Sequence, residues 1–328
     1  MKIALDAMGG DFAPDSIVDG SILATKEESG FEIVLVGQED KINECIAKKK
    51  NFNSDRIKIV NAPSVIEMSD SPSKALRSKK DSSIAVMNQL HKNGEVNAVI
   101  SMGNTGACMS FSLFTLGRIK GVIRPTIGAF MPSLHGVTLI IDVGAVAECK
   151  PENLYQFAVM GSIYYKLIMG IENPSVGLLS IGEEEEKGTE LTKEALQLLK
   201  PSKLNFKGYV EGRDILNGKT NIVVCDGFVG NTILKFAESV MPFISTKLKQ
   251  NIDSPLTKVG GILVRPAFRQ LKADLDPEEY GGVPLLGVNG ISIIGHGSSN
   301  PKSVKNSIFV ARRMINEKLN LKIAEALS

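Results

Sequence analysis

Three polar side chains lie in or beside glycine-rich turns and could act on an acyl or phosphoryl group. Lys187 follows the acidic run 183–186, Asn231 ends the turn 226–231, and His296 lies between two glycines. A lysine ammonium or an asparagine amide can donate a hydrogen bond to a developing oxyanion, and a histidine can serve as a general base. We therefore take Lys187, Asn231 and His296 as candidate catalytic residues.

Each of these residues also has an ordinary structural explanation. The acidic run before Lys187 suits the start of a solvated helix, because carboxylates favour the positive end of the helix dipole. Asn231 could cap a helix, and His296 could bridge backbone groups. Cys225 precedes the 226–231 turn and is expected to be a small buried residue instead of a nucleophile. The residues alone leave these alternatives open.

Six glycine-bearing turns along the chain are candidates for binding phosphate. Glycine lets the backbone approach an anion, and a helix N-terminus offers unpaired N–H groups. One such turn is weak evidence, because glycines also form ordinary tight turns. The candidate substrate- and phosphate-binding residues are Asp6, Gly9, Gly10, Asn104, Thr105, Gly106, Asp142, Gly227 and Gly230.

Each of these turns follows a short apolar run and precedes a helical segment. The runs predict strands at residues 3–5, 98–100, 138–141, 176–179, 222–224 and 291–294. Strand, turn and helix at this spacing predict an α/β fold with a mostly parallel sheet and helices on both faces. Because the carboxyl ends of parallel strands meet at one edge, we expect all six turns to line one crevice.

Two segments depart from this alternation. Residues 125–141 suggest an added hairpin or an edge strand. Residues 232–279 predict a helical stretch, broken at 253–255 and at 260–261, that projects from the core as a helical hairpin. Since no linker marks a boundary, we expect a single domain over residues 1–328 with the hairpin inserted at about 232–279.

The predicted hairpin carries a basic and apolar surface. Residues 245–272 contain six lysines or arginines against one aspartate. Such a segment suits a solvated face over an oligomer contact, a docking surface for an acidic protein, or a tip on anionic lipid. The candidate carrier-protein or membrane contacts are Lys258, Ile262, Leu263, Arg265 and Arg269.

Composition and motif spacing argue against several other classes of protein. A net charge of +2 disfavours a nucleic-acid binder whose whole surface is basic. The 4 scattered cysteines and 3 separated histidines form neither a C-x-x-C pair nor a local zinc motif, so we expect reduced thiols and no metal. No G-x-G-x-x-G is present, and residues 212–220 fail the spacing of a phosphate-binding P-loop, so no nucleotide cofactor is expected.

The chain is also expected to be cytoplasmic. Asp6 interrupts any apolar core of a signal peptide, and no apolar stretch reaches the roughly 18 residues that a membrane span needs. Contact with a membrane would then be peripheral.

Seven motifs, in this order, carry a resemblance to a known family. They are Asp6-Ala7-Met8-Gly9-Gly10-Asp11, Ser101-Met102-Gly103-Asn104-Thr105-Gly106-Ala107, Asp142-Val143-Gly144-Ala145, Ile181-Gly182-Glu183-Glu184-Glu185, Cys225-Asp226-Gly227-Phe228-Val229-Gly230-Asn231, Tyr280-Gly281-Gly282 and His296-Gly297-Ser298-Ser299. Together they cover essentially the whole chain, which resembles the bacterial phosphate acyltransferase (PlsX) family. One position departs from the family pattern, because Val146 stands where an asparagine usually follows Asp-Val-Gly-Ala.

The resemblance implies a fold, an activity and partners. It implies a Rossmann-like three-layer sandwich, similar to isocitrate and isopropylmalate dehydrogenases, and a homodimer. It implies transfer of a fatty acyl group from acyl carrier protein to inorganic phosphate, giving an acyl phosphate for phospholipid synthesis without a cofactor. It further implies transient contact with the membrane and with a membrane glycerol-3-phosphate acyltransferase. Carried over by motif, Lys187 and Asn231 are the strongest catalytic candidates, while Asn104, Thr105, Asp142 and His296 shape the site.

Such a reaction needs positioning more than proton transfer. A thioester is already activated and phosphate is already an anionic nucleophile, so direct attack requires neither a metal nor a covalent acyl-enzyme. Two other functions remain as alternatives: an NAD- and metal-dependent decarboxylating dehydrogenase on a related fold, and a non-catalytic acyl-binding regulator.

Overall fold

A computed structural model describes residues 1–49, 55–252, 255–274 and 281–328. Within these residues eleven strands form one sheet in the order β3-β2-β1-β4-β11-β10-β5-β6-β9-β7-β8. The strands are β1 Lys2–Asp6, β2 Glu32–Gly37, β3 Ile57–Asn61, β4 Ala98–Ser101, β5 Thr126–Ser133, β6 Gly136–Ile141, β7 Ser175–Leu179, β8 Asn205–Val210, β9 Ile222–Val224, β10 Val283–Leu286 and β11 Ser292–Ile294.

Twelve helices accompany the sheet in the described part of the chain. They are α1 Asp15–Glu27, α2 Glu39–Ala47, α3 Pro72–Ser78, α4 Ser83–Lys92, α5 Thr105–Leu116, α6 Pro151–Met169, α7 Glu190–Leu199, α8 Gly212–Asn217, α9 Gly227–Asn251, α10 Pro255–Asp274, α11 Pro301–Asn316 and α12 Leu319–Ala326. The expected alternation of strand and helix is therefore confirmed.

The strands are buried on both faces of the sheet. On β1, Ile3 and Leu5 join one apolar cluster while Ala4, between them, joins the other. On β9, Val223 likewise faces away from its neighbours Ile222 and Val224. Side chains of successive residues in a strand point to opposite faces, so two layers of helix must cover such strands. A mostly parallel sheet flanked by helices is therefore confirmed.

Strand direction reverses in the middle of the sheet. Because β10 runs antiparallel to both β11 and β5, and β5 runs antiparallel to β6, strands β6 to β10 point opposite to β1 to β5 and β11. The turns after β1, β4 and β11 therefore lie at one edge, and those after β6, β9 and β7 lie at the other. The expectation that all six turns line one crevice is wrong. The predicted hairpin at 125–141 does form, as β5 and β6, but in the interior of the sheet.

The region of the predicted hairpin contains two long helices, α9 and α10. The predicted break at 260–261 is wrong, because α10 continues through both glycines. Residues 253–254, which belong to the other predicted break, lie outside the described residues. No helix of the described residues is long and apolar enough to cross a membrane.

His91 joins the end of α4 to the start of β11. Its Nδ1 lies 3.0 Å from the carbonyl oxygen of Val96, and its Nε2 accepts the N–H of Ile291 at 2.9 Å. A carbonyl can only accept, so Nδ1 carries the proton and the ring is neutral. Burial lowers the pKa of His91 below the ordinary value of 6.5, because a buried imidazolium loses its hydration.

This neutral ring makes stability depend on pH. Because the pKa of His91 is lower in the folded state than in the unfolded state, its contribution to stability is complete above the unfolded-state pKa of about 6.5. This contribution is lost as the pH falls from there towards the folded-state pKa. We expect His91→Gln to reduce stability at pH 8, where both ring contacts are lost, and to flatten the fall in stability as the pH drops below about 6.5. Urea unfolding across this range measures both effects. The matched control is His135→Gln at an exposed residue of the β5–β6 turn, and an identical slope in His91→Gln and wild type would contradict this account.

Candidate active site

Two groups of turns lie at opposite edges of the sheet. The first edge carries the turns after β1, β4 and β11, at residues 7–11, 102–104 and 295–299. The second edge carries the turns after β6, β9 and β7, at residues 142–146, 225–226 and 180–188.

Asp6 organises the first edge from inside. Its carboxylate is 2% exposed and accepts the Ser101 hydroxyl at 2.7 Å and the Met8 N–H at 3.1 Å. Burial raises the pKa of Asp6, although these hydrogen bonds oppose the shift. A Cβ on Gly9 would lie 2.4 Å from this carboxylate and 2.8 Å from the Gly103 nitrogen. Glycine is therefore required there so that the turns can interlock.

Asn104 caps α5 and is fully used by backbone contacts. Its Oδ1 accepts the Ala107 N–H at 2.9 Å, and its amide donates to three carbonyl oxygens between residues 67 and 70. Gly106 packs against Pro72, whereas Thr105 is exposed. Asn104 thus ties the 67–70 loop to the start of α5 and leaves Thr105 as the exposed polar side chain of this helix start.

His296 lies on the first edge and is exposed. Its Nδ1 is 2.7 Å from the Ser298 hydroxyl and also accepts the Ser298 N–H at 3.2 Å. The following glycine meets the β1 turn, because the Gly297 carbonyl accepts the Asp11 N–H at 2.7 Å and a Cβ on Gly10 would lie 3.0 Å from this oxygen. His296 therefore belongs with Asp6, Gly9 and Gly10, away from Lys187 and Asn231.

Asp142 organises the second edge in the same manner. It is fully buried, and its carboxylate accepts the N–H groups of Ile127, Ala145 and Val146 at 2.9, 3.2 and 2.6 Å. Burial raises the pKa of Asp142, with the backbone donors opposing. Val146 contributes its backbone N–H to this turn, so that part of its role does not depend on the side chain that departs from the family pattern.

Helix α9 begins directly on this turn. Asp226 is its N-cap and accepts the Val229 N–H at 2.9 Å, so Asn231 is not the cap. The Gly227 N–H donates to the Val146 carbonyl at 2.9 Å. A Cβ on Gly230 would lie 1.9 Å from the Asp142 carbonyl oxygen. Both glycines therefore serve the close approach of α9 to the 142–146 turn.

Asn231 lies on the exposed side of this junction. Gly144 has a φ of +129°, and a Cβ there would meet Asn231 Cβ and Cγ at 3.5 Å. The Asn231 amide thus lies next to a bare stretch of turn backbone. Cys225 is buried, and its thiol lies 3.5 Å from the Asp142 carbonyl oxygen, as expected for a small packed residue; burial raises its pKa.

Lys187 comes to the same edge from the neighbouring strand. The parallel strands β7 and β9 pair through Leu178 and Val224, and their following turns lead to Lys187 and Asn231. Lys187 is exposed, and its backbone N–H donates to the Glu184 carbonyl at 3.0 Å. The structure therefore brings Lys187 and Asn231 to one edge, together with Asp142, Gly227 and Gly230.

Comparisons with known proteins identify the family. A family model described as "Fatty acid synthesis protein" matches residues 1–322. A phosphate acyltransferase of Geotalea daltonii is 48% identical over 100% of this chain and 94% of its own, and one of Halothermothrix orenii is 49% identical over 97% and 96%. The chain belongs to the phosphate acyltransferase family. The acyltransferase class expected from the sequence is thereby confirmed, and the dehydrogenase and regulator alternatives are not favoured.

Solved structures extend this likeness at the level of the fold. The EutD phosphotransacetylase from Staphylococcus aureus superposes with a TM-score of 0.63 and 16% identity, covering 96% of this chain and 94% of that one. A phosphotransacetylase from Streptococcus pyogenes gives 0.64 and 15%, covering 97% and 94%. The phosphate acyltransferase chain therefore shares its sheet and helices with these proteins.

The predicted contact surface lies on α10. Lys258, Ile262, Leu263 and Arg265 are exposed, with Ile262 at 69% and Leu263 at 75%. The side chain of Arg269 lies outside the described residues. Among the described residues, no group of three or more His, Cys, Asp or Glu side chains is placed to hold a metal ion.

Sequence reasoning missed the partners of the acidic run. Glu185 pairs with Lys200, and Glu183 pairs with Lys219 at 2.5 Å. These lysines are 15 and 36 residues further along the chain. The unusual run of glutamates indicates that cationic partners exist, but the sequence spacing does not identify which lysines they are.

The approach of α9 to the Asp142 turn can be tested with a single methyl group. Gly230→Ala places a Cβ against the Asp142 carbonyl oxygen, and overpacking of this kind typically costs about 1–3 kcal/mol. We expect reduced stability in urea unfolding together with reduced acyl transfer. The control is Gly260→Ala in α10, where a Cβ meets no atom of the described residues within 4 Å and alanine favours the helix. Wild-type stability in Gly230→Ala would contradict the contact.

Proposed function

We propose that this phosphate acyltransferase uses the second edge to transfer a fatty acyl group from acyl carrier protein to inorganic phosphate. The observation that carries the assignment is the arrival of Lys187 and Asn231 at one edge from adjacent parallel strands. The acyl phosphate product would then serve phospholipid synthesis.

The chemistry requires two donors and a held nucleophile. A phosphate oxygen attacks the thioester carbonyl, and negative charge develops on the carbonyl oxygen. The ammonium of Lys187 and the amide of Asn231 donate to this oxygen, and the carbon–sulfur bond then breaks to release the carrier thiolate. Since the nucleophile is already anionic, no side chain needs to remove its proton. Gly227 and Gly230 hold the start of α9 against the Asp142 turn, whose backbone would border the phosphate.

The first-edge candidates have a different place in this proposal. Asp6, Gly9, Gly10, Asn104 and Gly106 are engaged in packing or in backbone hydrogen bonds. They would maintain the turns of the β1, β4 and β11 half, while exposed Thr105 and His296 would be free to meet a part of the substrate away from the reacting carbonyl.

We further propose how the chain assembles. It would form a Rossmann-like sandwich of the dehydrogenase type, a single domain over residues 1–328, and a homodimer. Helices α9 and α10 would be the described part of the helical hairpin predicted at about 232–279, whose residues 253–254 and 275–279 lie outside the described residues. The exposed apolar and basic residues of α10 support a site for an acidic carrier protein or an anionic membrane. A cytoplasmic enzyme would then meet the membrane, and a membrane glycerol-3-phosphate acyltransferase, only transiently.

The catalytic assignment predicts large losses of turnover. We expect Lys187→Ala and Asn231→Ala each to lower kcat by about 10²–10³, because removing one oxyanion donor typically costs this much. The assay mixes pure protein with palmitoyl-carrier protein and phosphate and measures acyl phosphate as the hydroxamate. The matched control is Lys193→Ala, since Lys193 is exposed on α7 six residues beyond Lys187. Near-normal turnover in both variants would overturn the assignment.

The docking assignment predicts a change in KM and in salt dependence. Arg265→Glu places a negative charge where an acidic carrier would bind, so we expect a several-fold higher KM for the acyl carrier and a weaker effect of salt. Lys41→Glu, at an exposed residue of α2, makes the same charge change elsewhere and serves as the control. If Arg265→Glu changes neither quantity, this surface is not where the carrier binds.

A further inference from the structure

Two ion pairs tie down the loop that presents Lys187. This acidic loop, residues 182–188, lies in the connection between β7 and α7. Lys219 Nζ lies 2.5 Å from Glu183 Oε1, and Lys200 pairs with Glu185. The two tethered glutamates thus lie four and two residues before Lys187. No other ion pair of the loop occurs among the described residues.

Both anchoring lysines have fixed places in the fold. Lys200 is the C-cap of α7. Lys219 follows α8 and lies 3.7 Å from the Asp214 carboxylate, while its backbone N–H donates to the Asp214 carbonyl at 3.2 Å. Asp214 is itself 7% exposed and accepts the Glu211 N–H at the start of α8. The loop is therefore tied to the ends of two helices that pack on the sheet.

The remaining contacts of the loop transmit this restraint to Lys187. The Lys187 N–H closes a turn on the Glu184 carbonyl at 3.0 Å. A Cβ on Gly182 would lie 2.7 Å from Glu184 Oε2 and 3.0 Å from Lys187 Cγ, and Gly188 has a φ of +88°. A short loop bounded by these two glycines has few other ways to fix the direction of the lysine stem.

We propose that Lys200 and Lys219 are positioning residues, which hold the acidic loop so that the Lys187 ammonium reaches the reacting carbonyl. This inference rests on the proposed function, since it assigns the oxyanion to Lys187. It also explains the unusual acidic run: Glu183 and Glu185 serve the two anchors, and no metal ligand or helix dipole is needed to account for them.

The expected effect lies in kcat. Each pair is partly exposed, with lysine side chains 40% and 39% accessible, and such pairs are individually weak. Misplacement of a catalytic group is costly in rate even when it is small. We expect Lys200→Ala and Lys219→Ala each to lower kcat by about two- to fivefold, the double variant by about tenfold, and the KM for phosphate and acyl carrier to stay within about twofold.

The rate of cleavage by a protease that cuts after glutamate measures how firmly the acidic loop is held, independently of enzyme activity. In Lys200→Ala and Lys219→Ala the four glutamates 183–186 are intact, so release of the loop should speed cleavage there, measured by peptide mass over time. The matched control is Lys166→Ala, which breaks the exposed Lys166–Glu172 pair at the end of α6. It should change neither loop cleavage nor kcat.

Exchange of charges separates a pair from a simple loss of charge. The double variant Glu185→Lys with Lys200→Glu should restore slow cleavage and kcat, because Lys200 has no second carboxylate partner among the described residues. The same exchange at Lys219 would face Asp214, so Lys219→Arg is the conservative variant there and should keep wild-type values. If neither the charge exchange nor Lys219→Arg gives wild-type cleavage and kcat, the proposed pairing is overturned.

The two measurements distinguish the two proposals. Faster cleavage with lower kcat supports both. Faster cleavage with wild-type kcat means that the anchors hold the loop but do not set the position of the Lys187 ammonium, which overturns the positioning role; a large loss of kcat in Lys187→Ala would then still support the proposed function. Unchanged cleavage in the Lys200→Ala/Lys219→Ala variant overturns the positioning role, whatever happens to kcat.

Discussion

The hydrogen bonds from three backbone N–H groups to the Asp142 carboxylate hold the second edge together. One donor, Ile127, lies on β5, and the other two lie in the turn that follows β6. An unpaired buried carboxylate would be very costly, so the turn and the carboxylate require each other. Helix α9 begins on this turn through Gly227 and Gly230, and Asn231 takes its place from α9. The geometry of the site thus depends on one buried acid that does not itself react.

The sequence predicted the strands better than their directions. Strands at 98–101, 136–141, 175–179 and 222–224 follow from apolar runs with glycine turns, and all form within two residues of the predicted ends. Pairing partners could not be predicted, because β10 pairs on one side with β11, which follows it directly in the chain, and on the other with β5, which lies far earlier in the chain. A run such as residues 283–286 carries no signal of whether its neighbours run with it or against it.

Only part of the site could be predicted, because the sequence does not show which distant residues come into contact. Lys187 and Asn231 could be found because unusual polar residues stand at glycine turns, and adjacency of β7 and β9 then brings them to one edge. The glycines suggested an anion, yet Gly9, Gly227 and Gly230 are needed first for backbone packing. The positions of glycines in a sequence cannot distinguish glycines that bind an anion from glycines that allow close backbone packing. The partners of Glu183 and Glu185 were equally hidden, because charge pairing across a fold depends on tertiary contacts.

A double-mutant cycle on turnover tests most directly whether Lys187 and Asn231 act on one oxygen. Two donors to the same developing charge are coupled, so their combined removal should cost clearly less than the sum of the separate losses in activation free energy, by about 0.5–3 kcal/mol. This coupling should vanish in a control cycle that combines Asn231→Ala with Lys193→Ala instead of Lys187→Ala. Strictly additive losses in the Lys187→Ala/Asn231→Ala protein would show that the two side chains act independently and would contradict the account.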